Sequence, residues 1–150
     1  MITKEEAVQR AVELFKEHKN LVLQWATGIG KSKAAIEIIR NYETIPKVLL
    51  IVTETAHKKN WYEEFAKWDA LNLCDYCDID CYASLKNHRH SQYDLVILDE
   101  GHHSGTDIRL DILNNIKTDK LLILSATLKR EVLEGLELIF GRLKLFNINL

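Results

Sequence analysis

The sequence predicts an α/β fold in which a mainly parallel sheet is covered by helices on both faces. Two apolar runs, LVIL at 95–98 and LLIL at 121–124, are continuous rather than alternating, which is typical of strands buried on both faces. Short apolar runs also alternate with amphipathic segments along the chain, as in strand–helix–strand units. The 150 residues include one proline, and no repeat or linker stands out, so we expect one domain over residues 1–150.

Each element has its own local signal. A capping box at residues 3–6 (TKEE) and apolar residues at helical spacing predict a first helix over about 3–18. Apolar residues at helical spacing predict further helices after residue 32, over 61–68, around 107–115 and over 132–140. The predicted strands are 20–25, 47–53, 78–82, 93–99, 120–125 and 142–148. Residues 69–80 form the least regular stretch.

Composition limits the classes of function. A formal charge of −2 and a pI near 6.3 give no global basic field, so a nucleic-acid contact requires a local patch. No apolar stretch approaches the roughly 20 residues of a membrane span, and the first 20 residues lack the apolar core of a signal peptide. Three cysteines cannot all pair within one chain, which suits a reducing compartment. We therefore expect a cytoplasmic protein without a membrane partner.

A phosphate-binding loop is predicted between the first strand and the following helix. Its backbone would wrap phosphate oxygens at Gly28 and Gly30, Lys31 would reach the β and γ phosphates of ATP, and Ser32 would ligate Mg²⁺. Trp25 stands where the general pattern has its first glycine. The alternative is a glycine-containing turn that binds nothing. The predicted nucleotide-binding residues are Thr27, Gly28, Ile29, Gly30, Lys31 and Ser32.

An acidic pair follows a buried strand. Asp99 and Glu100 come directly after the apolar run at 95–98, and the carboxyl ends of parallel strands form the ligand crevice. Asp99 is suited to hold Mg²⁺ through water, and Glu100 is suited to orient and deprotonate an attacking water. The alternative is a pair of solvated loop acids. The presence of a phosphate loop in the same chain favours the catalytic interpretation.

The ordered motifs TGIGKS, LDEGHH and LSAT resemble motifs I, II and III of superfamily-two helicases of the DExH type. Two further segments, 51–55 with 60–65 and 81–85, are similar to Snf-type and restriction-enzyme translocases. The resemblance implies the first RecA-like P-loop NTPase domain of an ATP-dependent helicase or translocase. It also implies that His102, with Ser125, Ala126 and Thr127, couples hydrolysis to movement against a second RecA-like domain.

Nucleic-acid contacts are implied by the same resemblance. Thr53, Thr55 and Ser84 would lie near a nucleic-acid strand, with DNA favoured over RNA. Lys58 belongs to the basic cluster HKK at 57–59, which adjoins these residues, although such a cluster is commonly a solvated surface run. A second basic cluster is KNHRH at 86–90.

The sequence also departs from the family pattern. Family members carry an upstream glutamine that reads adenine, and counting back from the phosphate loop puts Lys4 near that position, with Gln9 about a turn further on. Family members also have a second domain that supplies arginine fingers, whereas this sequence stops at Leu150. We therefore expect the second RecA-like domain to be absent and turnover by the chain alone to be slow.

Other interpretations remain open. Cys74, Cys77 and Cys81, with His88 and His90, have the residue types of a zinc site but lack a second paired knuckle. A stand-alone nucleotide-dependent regulatory module without unwinding activity is the main alternative function. A small-molecule kinase fits poorly, because LDEGHH followed by LSAT has no evident role in a kinase.

Overall fold

The computed structural model describes residues 2–26 and 29–148. Within these residues six strands form one sheet, in the order β3-β2-β4-β5-β1-β6, and every neighbouring pair is parallel. The predicted α/β fold with a mainly parallel sheet is confirmed. The strands are β1 (Asn20–Trp25), β2 (Val48–Val52), β3 (Cys77–Cys81), β4 (Gln92–Asp99), β5 (Lys117–Ser125) and β6 (Lys144–Ile148).

Helices connect the strands. The described α-helices are α1 (Lys4–Glu17), α2 (Lys31–Arg40), α3 (Thr55–Lys67), α4 (Leu71–Cys74), α5 (Asp107–Asn114) and α6 (Arg130–Phe140). Two 3₁₀ helices, η1 (Tyr82–His88) and η2 (Gly101–Ser104), follow β3 and β4. Helix α1 begins after Thr3, whose hydroxyl accepts a hydrogen bond from the Glu6 amide, as the capping box predicts. In the part of the chain that the structure describes, no helix combines the length and apolarity needed to cross a bilayer.

The sheet separates two apolar layers. Val48, Leu50 and Val52 of β2 face one layer with α1, α2 and α3, while Leu49 and Ile51 face the other with η1, α5 and α6. Successive strand side chains point to opposite faces, so a strand covered on both faces must be apolar throughout. This is why β2 reads VLLIV and is buried along its whole length.

The register of the central strands fixes the position of the candidate site. Asp99, the last residue of β4, pairs with Leu124 of β5, and Ser125 of β5 pairs with Gln24 of β1. Strands β4 and β1 therefore end at the same edge on either side of β5, about 10 Å apart at the usual strand spacing. The start of α2 and the acidic pair after β4 both lie at this edge.

Several elements differ from the sequence-based prediction. Strand β5 begins at Lys117, three residues early, because the polar residues 117–119 continue the pairing with β4. The segment 69–80 contains the short helix α4 and most of β3, so it is more regular than expected. Helix η1 was not predicted, because the two residues that it buries, Tyr82 and Leu85, are too few to give a recognisable helical pattern of apolar residues.

Gly101 packs directly against the sheet. A Cβ atom at this position would lie 2.3 Å from Cγ2 of Ile123, which is fully buried in β5. A glycine is therefore the residue type that lets the segment after Glu100 approach β5 closely.

Gly101→Ala should destabilise the fold by about 1–3 kcal/mol, because the new methyl group overpacks the core against Ile123. Urea unfolding measures this cost. In an Ile123→Ala background the added methyl finds space, so the cost of Gly101→Ala should fall. Gly135→Ala is the matched control, since its Cβ meets only the flexible end of Leu110 and alanine favours the helix. Equal costs of Gly101→Ala in both backgrounds would contradict the packing explanation.

Candidate active site

A cavity of about 860 Å³ lies at the carboxyl edge of the sheet. Helix α1 contributes Lys4 and Gln9 to its wall, α3 contributes Trp61, and Trp68 at the C-cap of α3 lies beside them. The start of α2 and the acidic pair complete the lining. A cavity of this volume accommodates a cofactor-sized ligand. Lys4 and Gln9, the residues nearest the family's adenine-reading position, thus border the same cavity as the phosphate loop.

The phosphate loop leads into the N-terminus of α2. Gly30 caps this helix with φ at +105°, a conformation that strains any residue with a side chain. Lys31 begins the helix, and its Nζ donates a hydrogen bond of 2.9 Å to the Trp25 carbonyl. Ile29 is buried, and Ser32 lines the cavity with Lys31. Free backbone N–H groups and the helix dipole make this terminus attractive to anions.

Two predicted loop residues, Thr27 and Gly28, lie outside the described residues. Trp25 is the last residue of β1, and its side chain is fully buried against Phe146, with the rings edge to face at 5.4 Å. The tryptophan that replaces the first glycine of the general pattern therefore belongs to the core of the sheet. The side chain fills the layer beneath the loop and does not enter the cavity.

Hydrogen bonds hold the Asp99 carboxylate on both sides. Its Oδ2 accepts from the Trp61 indole at 2.9 Å, and its Oδ1 accepts from the Glu100 amide at 3.0 Å. Glu100 has a left-handed backbone with φ at 51°, which is uncommon for a residue other than glycine and is frequent at functional sites. Both carboxylates line the cavity.

The pKa of the Asp99 carboxyl is raised from its ordinary value, although several neighbouring groups oppose the rise. Burial raises the pKa of the Asp99 carboxyl and the neighbouring Glu100 carboxylate adds to the rise, whereas the Trp61 hydrogen bond, the Glu100 amide and the Lys31 charge lower it. These last three groups favour the ionised carboxylate, which is the form that ligates a metal. They offset part of the cost of placing a carboxylate beside the core.

The donor atoms at this edge suit magnesium. Mg²⁺ prefers oxygen ligands and is commonly held by one or two protein groups together with phosphate oxygens and water. The Ser32 hydroxyl and the Asp99 carboxylate line one cavity and are donors of this type. No cluster of three or more His, Cys, Asp or Glu side chains with metal-binding geometry occurs among residues 2–26 and 29–148.

His102 bridges the acidic box and the end of β5. Its Nδ1 lies 3.3 Å from Oγ of Ser125 and 3.7 Å from Oε2 of Glu100. The buried Ser125 hydroxyl in turn donates to the Thr127 carbonyl. Ala126 is half-buried and Thr127 is exposed. The structure therefore brings together the residues that the resemblance assigns to coupling.

The residues suggested for nucleic-acid contact lie at the ends of β2 and β3. Thr53 follows β2 and its Oγ1 is 2.6 Å from Nδ1 of His57, while Thr55 begins α3. Lys58 forms an ion pair of 3.4 Å with Asp80. Because β2 and β3 are adjacent and parallel, these residues share the edge of the sheet that carries Asp99.

Ser84 lies half-buried in η1, just after β3. It belongs to the same edge as Thr53 and Thr55, two of the other residues suggested for nucleic-acid contact. The structure thus groups the four residues around the ends of two neighbouring strands.

Trp61 and Tyr82 contact the acidic site but were not predicted to do so. The helical spacing of Trp61 with Phe65 and Trp68 favours a position in the core, and Trp61 is indeed buried, with 5% of its surface exposed. Tyr82 donates from its hydroxyl to the Asp99 carbonyl at 2.8 Å. One signal was available in the sequence: a buried indole N–H or phenol requires an acceptor, and acidic residues are efficient acceptors.

The family model "Type III restriction enzyme, res subunit" matches residues 3–79, just over half of the chain. The chain belongs to this family. The matched residues include the phosphate loop and helices α1 to α3, which supply most of the cavity wall. Family membership and the ordered motifs identify the chain as a RecA-like ATP-binding domain of helicase type. No match was found among curated protein sequences.

Solved helicase structures share the fold of this family member. The SWI2/SNF2 ATPase core of Sulfolobus solfataricus, solved with dsDNA, aligns with a TM-score of 0.73 at 17% identity over 92% of this chain and 35% of its own. The UvsW helicase of bacteriophage T4 gives 0.74 at 18% identity over 95% and 59%. The Hef helicase domain of Pyrococcus furiosus gives 0.67 at 14% identity over 96% and 37%. The chain therefore spans less than two thirds of each of these proteins.

The cysteine thiols near α4 should be unreactive in the folded protein. Burial raises the pKa of Cys77 to about 12, and Cys74 and Asp78 add to the rise, so the thiol is almost entirely protonated at pH 8. Iodoacetamide labelling at pH 8, followed by peptide mass spectrometry, should leave Cys77 unmodified in the native protein and modify it in 6 M guanidinium. Rapid labelling of Cys77 in the native protein would contradict the burial of its thiol.

Proposed function

We propose that this chain is the first ATP-binding domain of a DNA helicase or translocase, which couples Mg-ATP binding and hydrolysis to movement along nucleic acid. The observation that carries the proposal is the shared cavity, where the N-terminus of α2 meets the acidic pair at the end of β4. Such an arrangement has a positive end for phosphates and carboxylates for a metal and a water. Membership of the restriction-enzyme family supports the same assignment.

Each site residue then has a distinct role. Lys31 would leave the Trp25 carbonyl and donate to the β and γ phosphates, while the amides at the start of α2 bind their oxygens. Ser32 and Asp99 would hold Mg²⁺, the latter through water, and the ion would neutralise charge on the phosphates. Glu100 would accept a proton from the attacking water.

Coupling to movement would use the contacts around His102. Its Nδ1 lies near both the Glu100 carboxylate and the Ser125 hydroxyl, so a displacement of the segment that carries either residue would be felt at the other through this ring. Ala126 and Thr127 extend this connection towards solvent, where a second RecA-like domain, in the same chain or a partner, would dock. That domain would supply arginines that stabilise the transition state.

DNA is proposed as the track, with contacts at Thr53, Thr55, Lys58 and Ser84. The SWI2/SNF2 core that shares this fold was solved with dsDNA, which favours DNA over RNA. A regulatory module that binds nucleotide without moving on DNA would show no effect of DNA on ATP affinity. A measured change in ATP affinity on adding duplex or single-stranded DNA would favour the motor.

Lys31→Ala should weaken Mg-ATP binding by about 10- to 100-fold, the usual effect of losing a charge-assisted contact to phosphate. Isothermal titration calorimetry of the intact chain measures this change. Lys16→Ala is the control, since Lys16 is an exposed lysine in the last turn of α1 and does not line the cavity. Equal, weak affinities of the wild type and Lys31→Ala for Mg-ATP would contradict the assignment of this loop as a phosphate-binding site.

Turnover by the chain alone should be slow, because arginines from a partner domain can be worth about 10³ to 10⁵ in rate. Glu100→Gln should abolish the residual activity while retaining Mg-ATP binding, since the amide cannot accept the proton of water. Phosphate release measured on a verified monomer tests both points. Rapid hydrolysis by a monomer, or full activity of Glu100→Gln, would contradict these roles.

A further inference from the structure

The Asp99 carboxylate is fixed by donors from two different elements. The Trp61 indole of α3 binds Oδ2 at 2.9 Å, and the Glu100 amide binds Oδ1 at 3.0 Å. Each carboxylate oxygen accepts about two hydrogen bonds, so one acceptor position remains on each oxygen. With one donor on either side, the carboxylate plane has a defined orientation, whereas a free aspartate side chain rotates broadly about χ2.

Trp61 is itself held firmly. Its side chain is 5% exposed and its ring lies 6.2 Å from that of Phe65, the fully buried residue one turn along α3. The indole has a single N–H, and that donor is used on Asp99. Trp68 in the same region differs, because its indole donates to Glu64 of the same helix at 3.0 Å. Of these two tryptophans, Trp61 is the one that reaches from α3 to the sheet.

The backbone of Asp99 has separate support. Tyr82 of η1 donates to the Asp99 carbonyl at 2.8 Å and is 3% exposed. Tyr82 belongs to the apolar layer on one face of the sheet and Trp61 to the layer on the other. The end of β4 is therefore held through its carbonyl from one face and through its carboxylate from the other. Loss of the indole donor would release the side chain while leaving the backbone in place.

We propose that Trp61 is a positioning residue that orients the Asp99 carboxylate towards the magnesium ion. The inference rests on the proposed function, in which Asp99 holds Mg²⁺ through water. The indole acts through Asp99 and contacts neither the metal nor the phosphates. A carboxylate that is already oriented has less rotational freedom to lose when the ion binds, so the indole increases affinity for Mg²⁺.

Trp61→Phe removes the N–H donor and retains an aromatic ring on α3. Groups that support a metal ligand in this way commonly change metal affinity by about 10- to 100-fold. The variant should therefore require about 10- to 100-fold more Mg²⁺ for half-maximal enhancement of ADP binding. Its affinity for ADP in EDTA should stay within about twofold of the wild type. Calorimetric titration of ADP at a series of Mg²⁺ concentrations measures both quantities.

Phe65→Leu is the matched structural control. It perturbs the aromatic packing around Trp61 but leaves the indole donor, so its Mg²⁺ dependence should match the wild type. Equal shifts in Trp61→Phe and Phe65→Leu, or no shift in Trp61→Phe, would overturn the proposal. An equal loss of ADP affinity in EDTA would also overturn it, since the indole would then contact the nucleotide. If the wild type binds no nucleotide, the proposed function is wrong, and the role of Trp61, which depends on that function, is wrong as well.

A second measurement needs no variant and applies even if Trp61→Phe fails to fold. The indole N–H groups of the three tryptophans give separate signals in ¹⁵N-labelled wild-type protein. Adding Mg²⁺ to the ADP-bound protein should shift the Trp61 signal more than the Trp25 and Trp68 signals, because only its acceptor approaches the ion. An unchanged Trp61 signal, with the Mg²⁺ enhancement of binding intact, would contradict the proposal.

Discussion

The parallel pairing of β4, β5 and β1 is the constraint on which the rest of the site depends. The register that pairs Asp99 with Leu124 and Ser125 with Gln24 ends all three strands at one edge. A slip by one residue would move every side chain of a strand to the opposite face, where it would meet a layer packed around side chains of other shapes, so close packing opposes the slip. The fixed register brings the N-terminus of α2 and an acidic pair to one cavity, although they are separated by more than 60 residues of sequence.

The acidic box follows from several physical requirements that act on neighbouring residues. Asp99 is partly desolvated and needs donors, which Trp61 and the Glu100 amide provide. Glu100 adopts a left-handed backbone, which turns the chain sharply at the end of β4. Gly101 then allows the chain to pass close to Ile123, and His102 meets Ser125. Each residue of the Asp-Glu-Gly-His box thus has its own structural reason. Asp99 receives hydrogen bonds and Glu100 turns the chain, while Gly101 allows close packing and His102 contacts β5.

Local signals predicted most of the fold. The limits of β1 coincide with the predicted strand at 20–25, because the run is apolar and ends before the glycine turn. The polar start of β5 was missed, since residues 117–119 gain their strand conformation from pairing with β4 and carry no apolar pattern. The motifs of the phosphate loop and the acidic pair could be recognised because each consists of consecutive residues. The contact of Trp61 with Asp99 could not, because it joins residues 38 apart and depends on how α3 packs on the sheet.

We propose that the start of α2 and the end of β4 form one Mg-nucleotide site. A crystal structure of the chain with Mg²⁺ and a non-hydrolysable ATP analogue tests it most directly. We expect the β and γ phosphates to lie against the amides of residues 30–32, with Lys31 Nζ moved from the Trp25 carbonyl to phosphate. The metal should bind Ser32 directly and Asp99 through one water. A nucleotide bound elsewhere, with Lys31 still on the Trp25 carbonyl, would contradict it.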